Sequence, residues 1–270
     1  MRRTLSRQKL RETPLVHVLA QVRFSHLFDL RDRIPSLKAQ LGTIGFPRYQ
    51  ESQIHNIIVE GQTEPVAKVQ VSERWDFLDA TKTRGVVLTP DFLLLHTNLY
   101  DSFEEFAATM AKVLDAVGGT TGAPFVERIG LRYVDLVQPR EGETVAEYLK
   151  AGLIGYPVSD VPELGIGLSL SRTETRVVTN AGQLAIRCFQ RNDGSFLPPD
   201  LWPTVLEYPT ELRQGAIVTI LDLDHSASTA FNFNSPEILR VLVELHDGTD
   251  IAFRGAVTPH ALTIWGQEIV

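Results

Sequence analysis

Apolar and polar residues alternate near the start of the chain in a pattern that predicts a β-strand. Because successive side chains of a strand point to opposite faces, every second residue from position 16 to position 24 is expected to share one buried face. These residues are Val16, Val18, Ala20, Val22 and Phe24. Helical spacing follows over Leu30–Leu41, with Pro35 expected to start or kink that helix.

The next part of the chain reads as a meander that leads into a helix. Strands are predicted over Val66–Asp79, Gly85–Thr89 and Phe92–Thr97, separated by short turns, so antiparallel pairing of sequence neighbours is favoured. A helix then starts at an Asp101 or Ser102 cap and carries an apolar stripe as far as Gly118-Gly119. The chain returns as a strand over Val126–Val137.

The second part of the chain repeats this order more loosely. Four strands are predicted: Leu164–Leu170, Glu174–Thr179, Gln183–Gln190 and Ala216–Leu223. A Pro-rich loop over Leu197–Pro209 separates the last two. Helices are expected to start at Ser235-Pro236-Glu237 and at Thr258-Pro259, where a capping residue precedes a proline.

These elements predict an α+β protein of two similar halves, each a mainly antiparallel sheet covered by helices. The Gly- and Pro-rich segment 152–162 marks the boundary between the halves. The predicted organisation is a basic N-terminal arm over 1–13, a first half over 14–151 and a second half over 152–270. A duplication is suggested by the order of elements alone, since no residue-level repeat is visible.

Composition narrows the class of protein. The 270 residues are 43% hydrophobic, which is typical of a globular chain, and the net charge of −7 disfavours binding to nucleic acid through bulk charge. No apolar run is long enough to cross a bilayer, so a cytoplasmic protein without membrane contact is expected. The single cysteine, Cys188, lies in an apolar alternating stretch and is predicted to be a buried, inert thiol.

The signature motifs of nucleotide-binding loops, serine hydrolases and zinc sites are absent, and no cofactor is predicted. A weaker metal candidate is formed by Asp222, Asp224 and His225 at the end of a predicted strand. Alternation places both aspartates on one face, which equally describes an ordinary half-buried strand with a solvated acidic side. His246 is expected to cap the C-terminal end of its helix, and a Ser226, His225 and Asp247 triad carries no weight.

The strand Arg128-Ile129-Gly130-Leu131-Arg132-Tyr133 is the best candidate for a ligand site. It places Arg128 and Arg132 on one face on either side of Gly130. Two guanidinium groups beside bare backbone are suited to a phosphate or a carboxylate, and Arg74 and Arg187 on other strands extend the candidate site. The alternative is that these arginines form structural ion pairs with an acidic residue such as Asp76, Asp79 or Asp135.

The same strand also carries a resemblance to a known family. Together with the strand Pro14–Phe24 and the tail from Leu245-His246-Asp247 to Trp265-Gly266, it resembles a sporadically distributed, uncharacterised family of prokaryotic proteins. His17 stands where an acidic residue is expected. The family has no established activity, so the resemblance implies no catalytic residue, while the patchy distribution implies mobile or phage-defence gene clusters.

The sequence therefore predicts a binding or interaction module without enzymatic activity, acting as an accessory to a larger protein partner. A homodimer is the default oligomeric state. Two alternatives stay open: a metal-dependent phosphoesterase or nuclease that uses Asp222, Asp224 and His225, and an RNA- or DNA-binding protein that uses Arg128, Arg132 and the basic arm.

Overall fold

The computed structural model describes residues 10–60, 66–122, 124–156, 167–201, 204–208 and 217–266, with the side chains of 55–60 and 66–70 left aside. The strands are β1 (Leu15–Phe24), β2 (Arg48–Glu60), β3 (Val66–Leu78), β4 (Arg84–Thr89), β5 (Phe92–Thr97), β6 (Phe125–Val137), β7 (Leu170–Val178), β8 (Gln183–Arg191) and β9 (Val218–Asn232). The helices are α1 (Leu30–Thr43), α2 (Phe103–Thr121), α3 (Ala151–Ile154), α4 (Ser235–Ala256) and α5 (Pro259–Ile264).

All of these strands belong to one nine-stranded sheet in the order β2-β3-β4-β5-β1-β6-β9-β8-β7. Every neighbouring pair is antiparallel, which confirms the α+β class and the meander from β3 to β5. The two predicted halves meet within this sheet, where β6 pairs with β9 along most of its length. The similarity of the halves stays a prediction, since six strands come from the first and three from the second.

Helices α1, α2 and α4 cover one face of the sheet and enclose the main core with it. Their buried side, including Leu37 of α1, Met110 of α2 and Leu242 of α4, packs against the inward residues of β1, β6 and the meander. Val18, Ala20, Val22 and Phe24 lie in this core as predicted. The prediction for Val16 is wrong: a register shift between Leu15 and His17 places Val16 with the cluster of Val134, Phe189 and Ile220 on the other face.

Several element boundaries differ from the predicted ones. Pro35 lies inside α1 and does not start it, and β2 was not predicted. Ser102 caps α2 as expected, since its side chain accepts a hydrogen bond from the Glu105 N–H, but the helix continues to Thr121. Asn234 caps α4 in place of Ser235, and α4 runs to Ala256, with its buried side continuing past Leu245 to Thr249 and Ala256.

Some predictions fall on parts of the chain outside the described residues. These are most of the basic arm, the start of the predicted strand at Leu164, most of the boundary segment and residues 202, 203 and 209 of the Pro-rich loop. Within the described part, no helix is long and apolar enough to span a bilayer. Cys188 is buried as predicted, and burial raises the pKa of its thiol to about 12.

Candidate functional site

The sheet face opposite α1, α2 and α4 carries a cavity of about 880 Å³, here called the sheet cavity. The side chains on this face are those that alternate with the core residues, so the same strands that build the core also line the cavity. Its lining comes from β1 to β6 and β9, together with residues 200, 201, 204 and 205 of the connection between β8 and β9. Its polar lining includes His17, Gln21, Arg74, His96, Arg128 and Arg132.

Three of the four predicted anion-binding arginines line this one cavity, namely Arg74, Arg128 and Arg132. They come from β3 and β6, which are not neighbours in the sheet. Arg187 on β8 lies beside them, where it contacts Asp224 of the lining at 3.4 Å. The structure therefore brings the four residues of the predicted set to the same side of the sheet.

Arg132 lies at the centre of a buried ion-pair network. Its Nε and one terminal nitrogen donate to the two oxygens of Asp222 at 2.7 and 2.8 Å. Its other edge donates to Asp200 at 2.5 and 3.1 Å. Arg187 donates to the same Asp222 carboxylate at 3.0 Å. Arg132 is thus paired along both edges, with Asp222 and Asp200 and with none of the three aspartates that the structural alternative named.

Arg74 is also paired, as one of the predicted alternatives requires. Its guanidinium donates to the buried carboxylate of Asp76 at distances of 2.7 to 3.0 Å. Asp79, the second predicted partner, instead accepts hydrogen bonds from Thr81, Thr83 and the Arg84 N–H. Arg74 therefore lines the cavity with its charge balanced by the Asp76 carboxylate.

Arg128 differs from the other three arginines of the predicted set in that no described carboxylate pairs with it. Within the described part of the chain its one side-chain hydrogen bond is a long one of 3.4 Å to Gln21, and it forms no ion pair. It leans over Gly130: one terminal nitrogen lies 3.8 Å from the point that a Cβ on Gly130 would occupy. A half-buried guanidinium thus faces the cavity without a counter-ion from the residues described.

The residue paired with Arg128 across the sheet is another arginine. Arg23 of β1 is the direct register partner of Arg128 on β6, so both side chains project on the cavity side. Arg23 is exposed and has no described ion-pair partner. Like charges opposite each other repel, and an anion between them relieves that repulsion. The sequence reasoning missed Arg23, since the register of β1 against β6 is a long-range property.

Two buried histidines form a further wall of the cavity. Their rings lie 5.5 Å apart, and His17 Nδ1 is 2.6 Å from the Tyr208 hydroxyl. Burial, with a smaller effect of Arg132, lowers the pKa of His17 to about 3. Burial likewise lowers the pKa of His96, so both rings are neutral at pH 7. His96 Nε2 is a buried nitrogen for which the described residues supply no hydrogen-bond partner.

The predicted metal site is not assembled. Asp222 and Asp224 do share one face, as alternation predicted, but they face Arg132 and Arg187. His225 points to the helix side, where its ring nitrogens contact the Thr179 hydroxyl at 2.8 Å and the Leu245 carbonyl at 2.9 Å. Over the described ranges, no group of three or more histidine, cysteine or acidic residues is placed to hold a metal ion.

The role predicted for His246 is wrong. It lies inside α4 and does not cap its end, because the helix continues for ten residues to Ala256. Its ring stacks on Phe103 with centroids 4.0 Å apart, and its Nδ1 is 2.9 Å from the Tyr133 hydroxyl. The Ser226, His225 and Asp247 combination does not form a catalytic triad. The ring nitrogens of His225 contact Thr179 and Leu245, so this histidine is not placed to act as a base on Ser226.

Asp135, the third predicted ion-pair partner, follows Tyr133 on the helix-covered face of β6 and is buried. Burial, with a smaller contribution from Asp222, raises the pKa of its carboxyl group to about 8. It is therefore uncharged at neutral pH and does not pair with the arginines of the cavity.

Comparison with known proteins adds no function to this geometry: no family model and no curated protein matches the chain. The cavity and its charged side chains are therefore the features that bear on function.

Proposed function

We propose that the chain is a non-enzymatic binding module whose ligand carries an anionic group that binds Arg128 in the sheet cavity. The observation that supports this most directly is the register pair of Arg23 and Arg128, two cations with no counter-ion among the described residues. Arg74 and Arg132 in the same cavity are each held by a carboxylate.

The environment of Arg128 favours binding of an anion over solvation of a free guanidinium. Hydrogen bonds between a guanidinium and a carboxylate or phosphate are charge-assisted and contribute about 1.5–3 kcal/mol each. The bare backbone of Gly130 leaves room beside the guanidinium, since no heavy atom lies within 3.4 Å of its hypothetical Cβ.

The charge balance of the lining favours a compact ligand over a nucleic acid. Three arginines line the cavity, and three aspartates do as well: Asp76, Asp200 and Asp224. Binding along a phosphate backbone depends on an excess of positive charge over many contacts, which this lining does not provide. The ligand is therefore a small molecule or a short acidic peptide segment that enters a mixed-charge cavity.

The cavity lies where the two predicted halves share the sheet, so the proposed site uses strands of both. We retain the similarity of these halves as part of the proposal, together with a larger protein partner. Membership of the prokaryotic family, and through it a link to mobile or phage-defence gene clusters, rests on the resemblance of the β1 and β6 segments.

The experiment that tests this function is calorimetric titration of the full chain with citrate, sulfate and inorganic phosphate at low ionic strength. The wild type is compared with Arg128→Gln and with Lys112→Gln, which removes one positive charge from the exposed, helix-covered side. We expect at least one anion to bind, and its affinity to fall roughly tenfold or more in Arg128→Gln. The proposal fails if the wild type binds none of them, or if Lys112→Gln weakens binding equally.

A further inference from the structure

The guanidinium of Arg132 is bound along two edges by two aspartates of very different accessibility. Asp222, on β9, is fully buried and is also held by Arg187. Asp200, on the 3₁₀ turn Pro199–Leu201, leaves 64% of its side chain exposed to solvent. One edge of Arg132 is therefore part of the core, and the other opens to the sheet cavity.

The two contacts also differ in how readily they can be exchanged. Replacing Asp222 would leave the buried charges of Arg132 and Arg187 without their shared partner, which is strongly unfavourable. The exposed Asp200 carboxylate is solvated by water once it leaves Arg132, so exchanging it is less unfavourable than exchanging Asp222. Partial burial acts to raise the pKa of Asp200, but the hydrogen bonds and the charge of Arg132 together with smaller effects lower it, so Asp200 binds Arg132 as a carboxylate.

We infer that Asp200 occupies the place of a ligand carboxylate, and that the ligand of the sheet cavity is a dicarboxylate. One carboxylate of the ligand replaces Asp200 on the open edge of Arg132, while the other binds Arg128. This inference rests on the binding function proposed above and adds the chemical class of the ligand. The planar, two-oxygen contact that Asp200 makes is the contact that a ligand carboxylate reproduces there.

The spacing of the two arginines sets the length of that ligand. Arg128 and Arg132 are four positions apart on β6, so their Cα atoms are separated by about 13 Å. The guanidinium of Arg128 leans over Gly130 and that of Arg132 lies between Asp222 and Asp200, so the ligand's chain would bridge the distance between these two groups. We therefore expect longer linear dicarboxylates to bind better than short ones, and acetate to bind more weakly than either.

The test is a titration of the full chain with linear dicarboxylates from succinate to suberate, with acetate as the monocarboxylate. Wild type, Asp200→Asn and Glu207→Gln are compared. Glu207 lies in the same connection, is 67% exposed and pairs with Lys82, so its variant changes the net charge equally without freeing Arg132. Both acidic side chains are exposed and Arg132 keeps its hydrogen bonds to Asp222 in either variant, so we expect both variants to fold, which circular dichroism and thermal unfolding verify.

We expect Asp200→Asn to bind its best dicarboxylate about threefold to fivefold more tightly than wild type, with Glu207→Gln close to wild type. An unchanged affinity in Asp200→Asn, or an equal gain in Glu207→Gln, overturns the inference. If citrate binding still depends on Arg128, the proposed function survives that failure. If neither wild type nor Asp200→Asn binds any anion, the inference falls together with the proposed function.

Discussion

Arg132 donates two parallel hydrogen bonds to Asp222, at 2.7 and 2.8 Å, and joins β6 to β9 across the middle of the sheet. Asp222 is fully buried and receives a third hydrogen bond from Arg187 of β8 at 3.0 Å. One carboxylate thus connects three neighbouring strands on the side of the sheet that carries the cavity. The network fixes the orientation of Arg132, whose open edge is the proposed carboxylate site.

The first prediction concerns the stability of this buried network. Removing one partner leaves a buried charge without compensation, so Arg132→Met and Asp222→Leu should each lower the free energy of unfolding by about 3–5 kcal/mol. The double variant replaces both charges with apolar groups and should lose less than the sum of the two. Urea unfolding of the four proteins measures the coupling energy. Additive losses would show that the two side chains contribute independently.

The second prediction compares two glycines of α4. A Cβ on Gly248 would lie 2.6 Å from the Cε1 atom of His225, whose ring is buried and held by Thr179 and Leu245. Gly248→Ala should therefore lower the free energy of unfolding by about 1–3 kcal/mol. Gly255 has no heavy atom near that position, so Gly255→Ala should raise stability by up to ~1 kcal/mol through helix propensity.

Thermal and urea unfolding of both alanine variants provide this measurement, and each variant serves as the control for the other. A stabilising effect of Gly248→Ala would mean that the His225 ring can move away without losing its contacts. Equal effects in the two variants would contradict the close approach of α4 to β9 at this point.

The third prediction is a dependence of stability on pH that comes from Asp135. The pKa of its carboxyl group is about 8 in the folded protein and close to 4 when unfolded, so between these values the folded chain holds a proton that the unfolded chain has released. The contribution of Asp135 to stability is therefore largest below about pH 4 and is lost as the pH rises to about 8. The loss from this group is on the order of a few kcal/mol.

Asp135→Asn keeps the shape of the neutral acid and removes its titration. We expect the stability advantage of this variant over the wild type to be smallest near pH 4 and largest at pH 8.5, measured by urea unfolding at both values. A parallel pH profile for the two proteins would show that Asp135 is ionised in the folded state at neutral pH.

Local patterns in the sequence predicted much of this fold. Alternation from Val18 to Phe24 and the apolar stripe of α2 describe side chains that face one common core, so periodicity alone identified them. The arginines on either side of Gly130 were found in the same way, because alternation fixes which face they share. Predicting these features does not require knowing which strands pair with each other.

The features that were missed depend on pairings between distant segments. Arg23 lies opposite Arg128 only because β1 pairs with β6 in that register, and no local signal states this register. Asp200 reaches Arg132 from an irregular connection, where neither period applies. Val16 was assigned to the wrong face because the irregularity beside His17 shifts the alternation by one residue.

The last prediction tests whether the sheet cavity itself holds the ligand. The nearest heavy atoms to a Cβ on Gly130 lie 3.8 to 3.9 Å away, which is ordinary contact, so Gly130→Ala should fold and bind citrate much as the wild type does. The larger side chain in Gly130→Leu extends into the cavity beside Arg128 and should weaken citrate binding roughly tenfold or more, with little change in thermal unfolding. Because Arg23 and Arg128 keep their charges in this variant, wild-type affinity in Gly130→Leu would place the anion outside the cavity.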